Sequence, residues 1–245
     1  MLQEGIVAQM YDIIFISYNE PNAEKNFSIL KERFPLVKRI DGVVGIHQAH
    51  IAAAKKAFTK MFWVVDADAE ILPSFKFDYI VPEWDLETVH VWRSRNPVNG
   101  LEYGYGGVKL LPKDLTKNMD LSKTDMTTSI SKSFKPIPEV SNITAFNTDA
   151  FSAWRSAFRE CAKLASNTID RQDSSETFER LITWCTTGDE QPWGIYAIAG
   201  ALAGKTYGER NAADQAALSK INDYTWLLDK FNSEQAHQPL ERFQK

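Results

Sequence analysis

Cysteine and histidine are scarce in this chain, two and four among 245 residues. Cys161 and Cys185 form no C-x-x-C pair, and no H-E-x-x-H occurs, so spacing gives neither a zinc site nor a disulfide framework. Such usage suits a reducing, intracellular setting. No apolar run of about 18 residues or more exists, which argues against a membrane span. The opening "MLQEGIVAQMYD" lacks the basic head and cleavage site of a secretory leader. These absences point to a cytoplasmic protein, without a membrane or protein partner being implied. No G-x-G-x-x-G opens a helix, so the dinucleotide fingerprint is missing as well.

A hydrophobic content of 44% and a charged content of 24% are ordinary for a soluble globular protein, and the length suits one substantial domain, residues 1–245. Net charge is −4 but unevenly spread. Residues 1–92 hold 9 basic and 13 acidic side chains, residues 136–245 hold 11 and 15, and residues 93–135 hold 8 and 4. The basic middle suits an anionic substrate or partner, or a solvated loop surface.

The first third alternates between strand and helix patterns. "YDIIFISY" is a β-branched and aromatic run ending in the turn cluster Asn19-Glu20-Pro21-Asn22. "AEKNFSILKERF" places Phe27, Leu30 and Phe34 on one helical face. "LVKRIDG" reads as a strand, "GIHQAHIAAAKKAF" as a helix and "MFWVVDAD" as a third strand. This order predicts an α/β fold with a parallel layer. In such sheets ligands gather outside the carboxyl ends of the strands.

Asp66 and Asp68 stand at one of those ends. If the strand stays extended there, residues two apart point the same way, and two like charges side by side call for a cation. Mn2+ or Mg2+ carrying a diphosphate fits oxygen ligands best; a solvated loop or a helix N-terminus is the plainer alternative. His47 and His50 share a helix face, where His50 either meets a phosphate or sugar hydroxyl or is satisfied by a nearby carbonyl.

Farther on, "VHVWRSR" alternates as a strand, "NPVNG" is a turn and "EYGYGGVKLLP" returns as a strand. Gly104, Gly106 and Gly107, among Tyr103 and Tyr105, either let the backbone approach a ligand or serve hairpin bulges. Arg93, Arg95 and Lys109 are candidate phosphate contacts. Residues 113–140 are polar and predict a long mobile loop. The final third reads as helical, with an N-cap signal at Asn147-Thr148-Asp149 and an aromatic core stripe through Phe151, Trp154 and Phe158. "NAADQAALSKINDYTWLLDKF" closes as a helix.

"IIFISYNEPNAEKNF" followed by "RIDGVVGIHQAHIAAAKKAFTKMFWVVDADAEI" resembles the nucleotide-sugar half of GT-A-fold glycosyltransferases of the family-2 type. The resemblance implies a GT-A-like, mostly parallel twisted sheet flanked by helices, with a helical C-terminal third. Residues 10–75 would bind the nucleotide-sugar and residues 76–235 the acceptor. It implies a UDP-sugar donor held by Ser17, Tyr18, Glu20, Asp41, His50, Asp66, Arg93, Gly106 and Gly107, and a metal on Asp66 and Asp68. Tyr18 would stack on the base and Asp41 would read it. Asp189 or Glu190 would be the general base, although many relatives carry such a pair in the order Glu-Asp; helix capping by Asp189 is its structural alternative. Trp193 would line the sugar pocket or the core, and His237 would complete a metal site.

"VWRSRNPVNGLEYGYGGVKLLP" and "GDEQPWGIYAIAGALAG" are similar to glycosyltransferases of T-even-like phages, some of which modify DNA. That implies hydroxymethylated cytosine as the favoured acceptor, flipped out of the duplex, in a host cytoplasm. A glycan, lipid-linked or small-molecule acceptor, or nucleotide-sugar binding without transfer, are the alternatives.

Overall fold

The computed structural model describes residues 10–104, 106–168 and 173–233. Tyr105 and His237 lie outside the described residues. The first five elements follow the sequence pattern: β1 (Asp12–Ser17), α1 (Ala23–Arg33), β2 (Lys38–Asp41), α2 (Ile46–Lys56) and β3 (Met61–Asp66). β1 pairs in parallel with β2 and β3, setting Ser17 beside Asp41 and Ile16 beside Asp66. The three carboxyl ends therefore share one edge of the sheet.

β3 is apolar throughout because both of its faces are covered. Met61, Trp63 and Val65 pack with Phe15, Leu30 and Trp92 on one side. Phe62 and Val64 pack with Ala53, Ala54 and Met126 on the other.

The sheet continues through β4 (Ala69–Ile71), β5 (Val89–Arg95), β6 (Glu102–Tyr103), β7 (Val108–Pro112) and β8 (Phe134–Thr144). Its eight strands run β2-β1-β3-β7-β5-β8-β4, with β6 on β5. Both sequence halves, 10–75 and 76–235, contribute strands to it. The sheet is mixed rather than mostly parallel: β3–β7, β5–β7, β5–β6 and β4–β8 are antiparallel, whereas β5–β8 is parallel. The short return from β5 to β6, residues 96–101, allows only antiparallel pairing, since a parallel return needs a crossover of a dozen or more residues.

The expected mobile loop over 113–140 is instead ordered as α3 (Lys113–Lys117), α4 (Met126–Ile130) and the start of β8. Its few apolar residues suffice because Met119, Met126 and Ile130 all fall onto the core beside Phe62 and Val89. Pro136 and Pro138 are tolerated because β4 joins β8 only from Asn142 to Thr144, leaving that edge unpaired earlier.

The remainder is helical, as the pattern predicts: α5 (Ala150–Ala165), α6 (Ser174–Thr186), α7 (Gly194–Arg210), α8 (Gln215–Ser219) and α9 (Tyr224–Ser233). Asp149 caps α5 by accepting from the Ser152 amide at 2.8 Å. The single closing helix predicted from the sequence is broken into α8 and α9, with the Asp223 carboxylate accepting from the Trp226 amide at 3.1 Å where α9 starts. α5 and α7 meet along a seam of glycines. A Cβ on Gly200, Gly204 or Gly208 would stand 2.2, 2.2 or 2.4 Å from the carbonyl oxygens of Trp154, Phe158 and Ala162. Among the described residues, no helix is long and apolar enough to cross a membrane.

Candidate functional site

The end of β3 does not stay extended. Ala67 and Asp68 form a turn, tied down by Asn26 Nδ2 donating to the Ala67 carbonyl at 2.9 Å and by the Ala145 amide donating to the Asp68 carbonyl at 2.7 Å. Asp66 and Asp68 consequently face different cavities, and the expected shared clamp of a cation by both is not what the fold presents. The i, i+2 rule fails here because it holds only while the strand lasts.

Asp66 borders a cavity of about 710 Å3, but its charge is already matched. Lys109, on β7 and 3% exposed, donates to both carboxylate oxygens at 2.9 and 2.7 Å. Lys109 also donates to the Gly106 carbonyl. It is thus an internal countercharge rather than a free phosphate contact. Elsewhere in this cavity Lys163 meets Glu160 at 3.2 Å, and Tyr103 donates to Glu160 at 2.9 Å. Burial lowers the Lys163 pKa, yet the Glu160 and Asp125 carboxylates raise it on balance.

Asp68 opens on a second cleft of about 430 Å3 with Tyr18, Glu20, Asn22, Arg155 and Tyr224. Burial, then the charges of Asp66 and Glu20, push its carboxyl up to about 7, with Arg155 and Lys109 pulling weakly the other way. Between the ordinary value of 3.8 and about 7, the folded chain holds a proton that the unfolded chain has released. Stability from this group is therefore complete below that ordinary value and is lost as pH rises through the folded one. Urea denaturation at stepped pH is expected to show that decline, and Asp68→Asn to flatten it; an unchanged slope in the variant would place the titration elsewhere.

Beside the cleft, Ser17 donates to Asp41 Oδ1 at 2.5 Å, and Arg39 donates to the same oxygen at 3.1 Å. The Ser17 bond, then the Arg39 charge, hold Asp41 below the usual carboxylate range. Ser17 itself is buried and orients Asp41 rather than reaching the cleft. Tyr18 is exposed, with its ring edge-on to Tyr224 at 6.4 Å, and its amide donates to Glu20 at 2.8 Å.

Several predicted contacts lie elsewhere. His50 is 1% exposed, borders neither cavity and bonds the Ile46 carbonyl through Nδ1 at 2.8 Å. Burial lowers its pKa to about 4, so it is neutral. Gly106 borders the larger cavity, but Gly107 serves packing, since a Cβ there would stand 2.4 Å from Asn142 Nδ2. Arg93 is exposed on β5 outside both cavities. Arg95 and Lys135 pair with Glu102 and Asp85, which neutralises part of the basic middle. Asp189 and Glu190 are exposed on the turn before α7 and border neither cavity. Trp193, with φ of +60°, follows them and packs on Tyr196 at 5.9 Å.

The residues missed from sequence sit on α5. Ser152, Arg155 and Ser156 border the smaller cleft, and Arg159, Glu160 and Lys163 the larger. Their spacing of three and four marks a continuous polar face opposite the aromatic stripe, and that face was visible in the sequence. Among the described residues no three His, Cys, Asp or Glu side chains are grouped to hold a metal. No protein-family model matches the chain, and no curated protein matches it.

Proposed function

We propose that the chain is a metal-dependent glycosyltransferase of GT-A-like fold, moving a sugar from a UDP-sugar to an acceptor hydroxyl. The observation that carries this reading is the meeting of Tyr18, Glu20 and Asp68 in one cleft at the carboxyl ends of three parallel strands. A base stacks on Tyr18, while Asp41, whose Oδ2 meets no donor among the described residues, accepts its N–H. Asp66, oriented by Lys109, is left to contact ribose or sugar hydroxyls.

Asp68, with Glu20 beside it, would hold Mn2+ or Mg2+. Burial, then the charges of Asp66 and Glu20, raise the Asp68 pKa, and a bound cation would offset both; such ions commonly take one or two carboxylates and draw other ligands from substrate phosphates. The ion would neutralise the departing diphosphate.

The larger cavity, where Val91, Gly104 and Phe134 meet Lys109, Arg159 and Lys163, is the place proposed for the acceptor, a sugar or a single flipped-out base. Hydroxymethylated cytosine in phage DNA is the favoured acceptor; a glycan, lipid-linked or small-molecule hydroxyl is the alternative. One observation favours a second reading, nucleotide-sugar binding without transfer: Asp189 and Glu190, the expected base, line neither of the two cavities.

Incubation of the protein with a UDP-sugar panel, Mn2+ and a hydroxymethylcytosine duplex separates these outcomes. Transfer predicts Mn2+-dependent UDP release and DNA heavier by one sugar, falling about a hundredfold in Asp68→Ala. Binding without UDP release favours the second reading. Release that Asp68→Ala leaves unchanged refutes the metal role.

A further inference from the structure

Two residues that line the smaller cleft, Asn22 and Arg155, each carry a polar atom left unsatisfied among the described residues. Arg155 Nε and Asn22 Oδ1 are both buried without a hydrogen-bond partner among the described residues. Asn22 is held in place by its other amide atom, Nδ2, which donates to the Ala145 carbonyl at 3.4 Å. Arg155 sits against the rings of Tyr224 and Phe151, with its guanidinium carbon 5.2 and 5.8 Å from their centroids. Among the described residues it makes no ion pair within 4 Å, although Glu20 and Asp68 border the same cleft and its charge acts on Asp68 from a distance.

Buried polar groups are normally paired, so two side chains lining one cleft with unspent hydrogen-bonding capacity, one a donor and one an acceptor, point to a ligand on which the side chains settle. The donor is a planar guanidinium, which suits phosphate oxygens, and the acceptor calls for a hydroxyl. We infer that Arg155 is a phosphate-binding residue of this cleft and that Asn22 Oδ1 accepts from a hydroxyl of the same ligand. The ligand class is a phosphorylated ribose or sugar, as in a nucleoside diphosphate. This role rests on the nucleotide-sugar reading and deepens it: the protein supplies its own countercharge, so diphosphate binding persists when the metal is removed. The Phe151 and Tyr224 rings, edge-to-face at 5.4 Å, pack together against the guanidinium and help fix its position.

Titration calorimetry with UDP and with inorganic pyrophosphate, each in Mn2+ and in EDTA, tests this. Wild type is expected to bind both probes in EDTA. Arg155→Gln should weaken both at least tenfold with or without metal, and Arg155→Lys should recover part of the loss. Asn22→Ala should weaken UDP but leave pyrophosphate, which carries no ribose hydroxyl. Thermal melts of each ligand-free variant separate loss of contact from loss of fold. If Arg155→Gln folds and binds UDP like wild type, the inference is overturned and the nucleotide site stands. If wild type binds neither probe under either condition, both fail together.

Discussion

Gly204→Val is expected to lose roughly 3 kcal/mol of stability or more, the upper end of what overpacking costs. In an exposed helix, replacing glycine normally adds up to about 1 kcal/mol. Here the sign reverses because a Cβ would stand 2.2 Å from the Phe158 carbonyl oxygen and 2.7 Å from its Cα, both backbone atoms of α5. Neither can rotate away as a side chain would. Relief requires α5 to shift from α7, and α5 carries Arg155, Arg159, Glu160 and Lys163 into the two cavities. Urea denaturation should show the lowered midpoint, and any folded fraction should bind UDP less well. A variant as stable as wild type would mean the helices do not meet at this seam.

Asp66→Ala should be nearly as damaging, for an electrostatic reason. Lys109 is 3% exposed and donates to both Asp66 oxygens. Removing one partner of a buried pair strands the other charge, typically at about 3–5 kcal/mol, discounted here because Asp66 is partly open to solvent. The double change Asp66→Ala with Lys109→Met removes the stranded charge and is expected to recover much of the loss. A double-mutant cycle by urea denaturation measures the coupling; additive losses would show that the pair does not interact. Asp68→Ala should behave in the opposite way, leaving the fold intact or firmer at neutral pH because it removes a carboxylate that burial disfavours. Inactivity in Asp66→Ala would therefore reflect folding as much as chemistry, whereas Asp68→Ala tests the cleft alone.

The three parallel strands, the two helices between them and the helical final third are legible in the residues: β1 and β3 are near-continuous apolar runs, the helices carry apolar faces, and β2 is marked by Leu36 and Val37 before it and Gly42 after it. The ordering of 113–140 is not. Met119, Met126 and Ile130 form no continuous apolar face, and they order the segment only because the sheet surface already waits for them. Tyr18, Glu20 and Asp68, singled out from their places at strand ends, line one cleft. His50 and Gly107 were misplaced, because an isolated polar or small residue looks the same whether it meets a ligand or the interior.

By itself the sequence determined the alternating strands and helices of the first third, the helical character of the final third, and that acidic side chains gather where β3 ends. Only the tertiary structure decided that Lys109 silences Asp66, that Asp68 turns into another cavity, and that Arg155 joins it there from 87 residues away along the chain. Periodicity is a local property and can be read from neighbours. Charge pairing, burial and the contents of a cleft depend on groups brought together by packing, and no spacing along the chain encodes them.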